Sequence, residues 1–101
     1  MDKQEIKDKL SQAIRRDDHL DDIKSVALFG SVVNGTAKPT SDVDVLIDFM
    51  PTATVGFFKL AQIQRNLQHC LGMNVDLVTP EAISRFFRNE VIAQAESVYE
   101  K

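Results

Sequence analysis

The chain has 101 residues, of which 44% are hydrophobic, and its 12 basic and 15 acidic side chains give a formal net charge of −3. This length suits one compact domain, so we expect a single domain over residues 1–101. The acidic balance, without a cluster of basic residues, argues against direct binding of nucleic acid. The sequence contains neither a long apolar run nor a secretory signal, so we expect a cytoplasmic protein without a membrane anchor.

The first three predicted elements are a helix and two strands. Apolar residues recur at helical spacing from Ile6 to Ile14, which predicts an amphipathic first helix. Residues 25–29 and 43–48 have the length and the β-branched content of strands, and residues 73–78 form a third segment of this kind. These elements predict an α/β fold with a small mixed sheet of about three strands flanked by helices.

A helix is predicted between the second and third strands, with an apolar face from Phe57 to Leu71 and an end at Gly72. A helical connection of this length makes the two strands neighbours in the sheet. The single cysteine, Cys70, cannot form an internal disulfide and is expected to be a small buried residue of this helix.

After the third strand, Thr79 is a predicted N-cap followed by proline at the first helical position, which indicates a long C-terminal helix. Its apolar residues cover more than one stripe of a helix. They are Ile83, Phe86, Phe87, Val91, Ile92, Ala95, Val98 and Tyr99. Two interpretations stay open: a deeply packed final helix, or a surface for a partner or for a homo- or hetero-oligomer.

The second strand is preceded by one carboxylate and contains another, where a buried strand usually carries apolar residues. Asp42 and Asp44 alternate with Val43 and Val45, so both carboxylates are expected on the same face. Two ionised carboxylates held close repel each other unless a cation lies between them, and magnesium prefers such oxygen ligands. The alternative is an exposed strand start with solvated aspartates.

Two further features accompany this pair. Gly30 and Ser31 follow the first strand directly, where glycine lets the backbone approach a ligand and a helical turn with N–H groups facing an anion can begin. The alternative is an ordinary turn capped by Ser31. Asp76 interrupts the apolar third strand and must face away from Val75 and Leu77, so it needs a partner of its own.

The Gly-Ser pair, the ten residues after it, the "DVD" and the later "VDLV" together resemble the signature of the DNA polymerase β-type nucleotidyltransferase superfamily. The short length resembles its minimal nucleotidyltransferase (MNT) branch, whose members include antitoxins encoded beside HEPN-domain ribonuclease toxins. The resemblance implies a polymerase β-like palm fold and the transfer of AMP from ATP to a tyrosine hydroxyl of the toxin, which neutralises it.

Carried over by position, the resemblance implies that Gly30, Ser31 and Ser41 bind the nucleotide. Asp42 and Asp44 would bind two Mg²⁺ ions, and Asp76 would hold the ion on the side of the nucleophile and accept its proton, directly or through water.

The chain departs from the family in one place. Many relatives have arginine after the Gly-Ser pair, where this chain has Val32, Val33 and Asn34. Two other functions therefore stay open. One is an antitoxin that masks its toxin and has a vestigial nucleotide site, and the other is transfer to a small-molecule acceptor, which the short chain disfavours.

Overall fold

A computed structural model of the chain describes residues 2–38 and 40–101. Its helices are α1 (Lys3–Arg15), α2 (Ser31–Asn34), α3 (Phe57–Leu71) and α4 (Arg88–Gln94), with 3-10 turns at Leu20–Asp22 and Pro80–Ala82. Its strands are β1 (Ile23–Phe29), β2 (Val43–Phe49), β3 (Val75–Val78) and β4 (Glu96–Glu100). None of the helices in this part of the chain is long and apolar enough to cross a membrane.

The described residues form one four-stranded mixed sheet in the order β3-β2-β1-β4. β1 is antiparallel to both β2 and β4, whereas β2 and β3 are parallel and joined by α3. The predicted α/β class and the pairing of the second and third strands are confirmed. The predicted number of about three strands is corrected to four.

The core lies between one face of the sheet and the helices α1 and α3. Alternate residues of the strands, among them Val43 and Val45, are fully buried against these helices. The buried residues of α3 are Ile63, Leu67 and Leu71. The opposite face of the sheet carries the residues between the buried ones, and the carboxylates of β2 and β3 are among them.

Two expectations for α3 are wrong. Phe57 is 78% exposed, and Cys70 is exposed as well. The stripe that packs on the sheet passes through Ile63 and Leu67, and neither of the two residues lies on it. The predicted C-terminal end is confirmed, since Gly72 adopts a left-handed conformation (φ 67°) and its N–H bonds to the carbonyl of Gln68.

The predicted long C-terminal helix is wrong. The 3-10 turn ends at Ala82 because Ile83 has extended backbone (φ −85°, ψ 135°). The guanidinium of Arg88 then donates to the carbonyls of Pro80 (2.8 Å) and Ile83 (3.1 Å), which a continuing helix would have used itself. Residues 83–94, which we call the connecting segment, lead from β3 to β4.

The last part of the predicted helix is instead the edge strand β4. It pairs with β1 and places Tyr99, which is 9% exposed, in the core, where Arg15 lies over its ring at 5.2 Å from the centroid. The carboxylate of Glu96 accepts from Lys3 at 2.9 Å. The expectation that Tyr99 packs is confirmed, although it packs from a strand.

Candidate active site

Three carboxylates lie at one end of the sheet. Asp44 of β2 is in register with Asp76 of β3 on one side and with Phe29 of β1 on the other. Asp42 lies immediately before β2 and is exposed, as is Asp76, whereas Asp44 is half-buried. We call these three aspartates, together with Gly30 and Ser31, the carboxylate edge.

The ionisation of Asp44 reflects its surroundings. Burial raises the pKa of its carboxyl group, and the neighbouring charges of Asp76 and Asp42 raise the pKa further. A hydrogen bond from the backbone N–H of Ser31 acts in the opposite direction. Asp44 is therefore the carboxylate whose ionisation is opposed by both of its acidic neighbours.

Gly30 contacts the central carboxylate directly. Its backbone (φ 75°, ψ −145°) lies in a region that residues with a side chain rarely adopt. A Cβ atom at this position would overlap the Asp44 carboxylate, with Cγ of Asp44 only 2.9 Å away. Glycine is thus required both by the backbone conformation and by the space that Asp44 occupies.

The predicted helical turn after Gly30 is confirmed as α2, with Asn34 N bonded to the carbonyl of Gly30 at 3.0 Å. The sequence assigned Gly30 and Ser31 to the nucleotide but did not show that they also position Asp44. The antiparallel pairing of β1 and β2, which brings Phe29 opposite Asp44, is what joins the two motifs.

A cleft of about 530 Å³ lies between the start of α1, the segment from Val32 to Ser41 and the end of α3, and none of the five residues of the carboxylate edge lines it. It is lined by apolar side chains, including Val32 and Leu71, and by the polar residues Lys3, Lys38 and Ser41. The hydroxyl of Ser41 accepts from the backbone N–H of Lys38 at 2.9 Å, which fixes its position in the loop. A cleft with apolar walls and a few cations has the chemistry that a planar base and its phosphates require.

The donor set at the carboxylate edge fits magnesium, because all three side chains supply the oxygen ligands that this ion prefers. Among residues 2–38 and 40–101, however, no three acidic, histidine or cysteine side chains form a set that would hold a metal ion. Magnesium in nucleotide sites is usually bound by one or two carboxylates together with water and substrate phosphates.

The two histidines lie away from the carboxylate edge. His19 and His69 line a separate cleft with Asp17, and Nε2 of His19 is 2.9 Å from Oε1 of Gln62. Asp17 is 8% exposed and accepts hydrogen bonds from the backbone of His19 and from Asn66. This cluster joins the end of α1 to α3 and contributes no group to the carboxylate edge.

Comparison with known proteins gives consistent results. The model of the nucleotidyltransferase domain family matches residues 7–99. A Methanocaldococcus jannaschii protein with the name "putative protein adenylyltransferase" is 39% identical over 61 residues, which are 60% of this chain and 60% of that protein. The Thermococcus cleftensis protein adenylyltransferase MntA is 32% identical over 72 residues, which are 71% of each protein. The match thus spans about 60% of the length of the first of these relatives.

Solved structures share the fold. A minimal nucleotidyltransferase, 27% identical, has a TM-score of 0.74, with 96% of this chain and 94% of that one covered. A toxin–antitoxin complex with AMP-PNP has a TM-score of 0.75 at 23% identity, covering 94% and 73%. An MNT antitoxin bound to a tri-AMPylated Shewanella oneidensis HEPN toxin has a TM-score of 0.69 at 20% identity, covering 97% and 72%.

Proposed function

We propose that this chain, which belongs to the nucleotidyltransferase domain family, is an antitoxin that transfers AMP from ATP to a tyrosine hydroxyl of a HEPN ribonuclease toxin. The tyrosine oxygen loses its proton and bonds to the α-phosphorus, and pyrophosphate leaves. Relatives whose names say protein adenylyltransferase support the reaction, and a fold neighbour, an MNT antitoxin bound to a tri-AMPylated HEPN toxin, supports the partner. The observation that carries the proposal is the placement of Asp42, Asp44 and Asp76 together at one end of the sheet, with Asp44 in register with Asp76.

The nucleotide would bind across the carboxylate edge and the neighbouring cleft. Ser31 and Ser41 supply polar groups for the phosphates, and the apolar wall at Val32 and Leu71 accommodates the base. Val32, Val33 and Asn34 occupy the stretch where many relatives have arginine, and Lys38, one of the two lysines that line the cleft, would take over the phosphate contact. We propose that ATP is held mainly through its phosphates and the carboxylate-bound cations.

Two Mg²⁺ ions would be held by Asp42, Asp44 and Asp76, and when bound they neutralise the triphosphate and activate the attacking oxygen. The residues of the chain prepare this arrangement. The N–H of Ser31 orients Asp44, and Gly30 leaves the space that its carboxylate occupies. Asp76, on the next strand, is exposed, and we assign it the side of the nucleophile, as the family resemblance implies.

The partner surface is assigned to the connecting segment. Phe86 is 80% exposed, Phe87 is 60% exposed and Ile92 is 47% exposed, and no residue of α4 is buried. The segment ends where Glu96 pairs with Leu28, close to the strand end that carries Gly30. We propose that the toxin docks on these apolar side chains and presents its tyrosine to the carboxylate edge. A cytoplasmic location, where ATP is available, stays a prediction.

Masking of the toxin without chemistry is the second candidate, and the missing arginine together with the exposed connecting segment favours it. The two candidates differ in stoichiometry. The test incubates a HEPN toxin with MgATP and a small fraction of one equivalent of this protein, removes the protein, and measures the intact mass and the ribonuclease activity of the toxin. Transfer predicts adenylyl mass on a tyrosine and lasting loss of activity. Unchanged mass, with full recovery of activity, would support masking instead.

A further inference from the structure

A side chain of α3 holds the first residue of β3. The backbone N–H of Val75 donates to Oε1 of Gln68 at 3.1 Å. β3 is an edge strand, so the N–H groups on its outer side have no strand partner, and Gln68 supplies one for Val75. Among the side-chain hydrogen bonds of the described residues, this is the one that reaches β3.

This contact lies one residue pair away from the carboxylates. Val75 is in register with Val43, and the next pair along the two parallel strands is Asp44 with Asp76. Val75 is only 2% exposed, so its N–H cannot simply exchange Gln68 for bulk water. The position of Asp76 relative to Asp44 therefore depends on a strand end that Gln68 fixes.

The backbone of Gln68 also takes part in the turn between α3 and β3. The backbone carbonyl of Gln68 accepts from the N–H of Gly72 at 2.8 Å, where the helix ends. The carbonyl of Asn74, in turn, accepts from the N–H of Val43 at 2.9 Å, which extends the pairing of β2 and β3 beyond the end of the strand. Gln68 thus connects α3 to β3, whereas the bond from this turn to β2 is made by Asn74.

We propose that Gln68 is a positioning residue for nucleotidyl transfer, whose side-chain carbonyl keeps Asp76 in register with Asp44. Gln68 touches no reacting group and acts through Val75. The inference rests on the proposed function of the carboxylate edge. It predicts that loss of the acceptor impairs the chemical step more than the binding of MgATP, because Asp42 and Asp44 do not depend on this contact.

The test compares three variants of the protein. Gln68→Met keeps the length of the side chain but removes the acceptor, whereas Gln68→Glu keeps an acceptor at the same place. Gln64→Met is the control, because Gln64 lies one turn earlier on α3, is also half-buried, and makes no side-chain hydrogen bond to the rest of the described chain. Melting temperatures establish that all three variants are folded.

Two measurements do not require activity. In Gln68→Met, amide hydrogen exchange at Val75 and Asp76 should be faster by about tenfold or more, because the strand end opens more often. Magnesium titrated into the ATP-saturated protein should shift the Asp76 amide signal at about tenfold higher concentration. Gln68→Glu and Gln64→Met should stay close to the parent in amide exchange.

The third measurement is transfer to the toxin. Gln68→Met should lower kcat by about tenfold or more, with a smaller change in KM for MgATP. Gln68→Glu, which keeps an acceptor, should have a kcat much closer to that of the parent. Parent-like exchange and magnesium response in Gln68→Met would overturn the inference, as would equal impairment of Gln68→Glu. A parent protein that transfers no AMP would instead refute the proposed function, while the exchange and magnesium measurements would still decide the role of Gln68.

Discussion

The carboxylate edge and the connecting segment are both unfavourable in the free protein, for opposite reasons. Asp44 is half-buried beside two other carboxylates, so charge accumulates where water is partly excluded. In the connecting segment, aromatic rings such as Phe86 are left in water, with 80% of the residue exposed. A cation bound with a nucleotide would reduce the repulsion between the carboxylates, and an apolar protein surface would remove the aromatic rings from water. Chemistry and partner recognition should therefore respond separately to mutation.

Among substitutions that leave the three carboxylates in place, the largest effect is expected from Gly30→Ala. The added Cβ needs the space of the Asp44 carboxylate and a backbone conformation that alanine rarely adopts. Transfer should fall by about a hundredfold or more, or about 2.7 kcal/mol in the activation free energy. Gly35→Ala is the control, because Gly35 also has a positive φ (74°) but no atom lies within 4 Å of its added Cβ.

Gly35→Ala should cost about 1 kcal/mol of stability while transfer stays within severalfold of the parent. Kinetic assays of both variants, with their melting temperatures, make the comparison. If both alanine variants lose transfer to the same extent, the contact between Gly30 and Asp44 has no special role.

A smaller effect, confined to the partner, is expected from Phe86→Glu. A charge in the centre of the apolar patch should weaken binding of the toxin by about 2 kcal/mol, roughly thirtyfold. Stability should hardly change, because Phe86 is exposed in the free protein. Phe58→Glu is the matched control, since Phe58 is 86% exposed. It lies at the start of α3, which follows the end of β2 opposite to the carboxylate edge.

Calorimetric titration of the toxin distinguishes these two aromatic sites. Equal weakening by both substitutions would show that the partner surface is not confined to the connecting segment. If Phe86→Glu binds the toxin as tightly as the parent does, the toxin does not dock on the connecting segment.

The smallest effect is expected from Asp44→Asn in the metal-free protein. The folded state raises the pKa of Asp44 above its ordinary value of 3.8, so the folded protein holds this proton more tightly than the unfolded chain. Protonation of Asp44 therefore stabilises the folded parent at low pH. This stabilisation should be lost as pH rises from the pKa of Asp44 in the unfolded chain through its higher pKa in the folded protein. Asparagine does not ionise, so the stability of Asp44→Asn should not fall in this way. At neutral pH the variant should be more stable than the metal-free parent by up to about 1 kcal/mol.

Denaturant titrations between about pH 4 and pH 7 test this sign. Addition of MgATP should reverse the order of stability, because it stabilises the parent by mass action and the variant less. An asparagine variant that is less stable than the metal-free parent at neutral pH would show that Asp44 is not under electrostatic strain.

The parts of the fold that the sequence predicted are those governed by local rules. The alternation of Val43, Asp44 and Val45 is enough to place a carboxylate on the face opposite the core, and Gly72 is enough to end α3. The candidate residues of the carboxylate edge could be chosen for the same reason. The residues alone suggested a cation at Asp42 and Asp44 and an anion at the Gly30 turn, but left ordinary alternatives open, and the resemblance to a family was needed to choose between them.

The parts that the sequence did not predict depend on contacts between distant residues. Residues 96–100 alternate like a strand, but they follow a helical stretch, and only the free edge of β1 makes them β4. The extended backbone at Ile83, stabilised by Arg88, ends the preceding turn in the same way. The contact between Gly30 and Asp44 likewise requires the pairing of β1 with β2, which no spacing along the chain reveals.

The most direct test of the central claim is the intact mass of the toxin after incubation with MgATP and either the parent or Asp76→Asn at substoichiometric amounts. Asp76→Asn should bind MgATP within about tenfold of the parent, because Asp42 and Asp44 remain. The parent should add adenylyl mass to a toxin tyrosine, and the variant should be slower by about a thousandfold or more, since it lacks the ligand on the side of the nucleophile. If the variant neutralises the toxin as well as the parent does, with no adenylyl mass in either reaction, the chain acts by masking and the proposed chemistry is wrong.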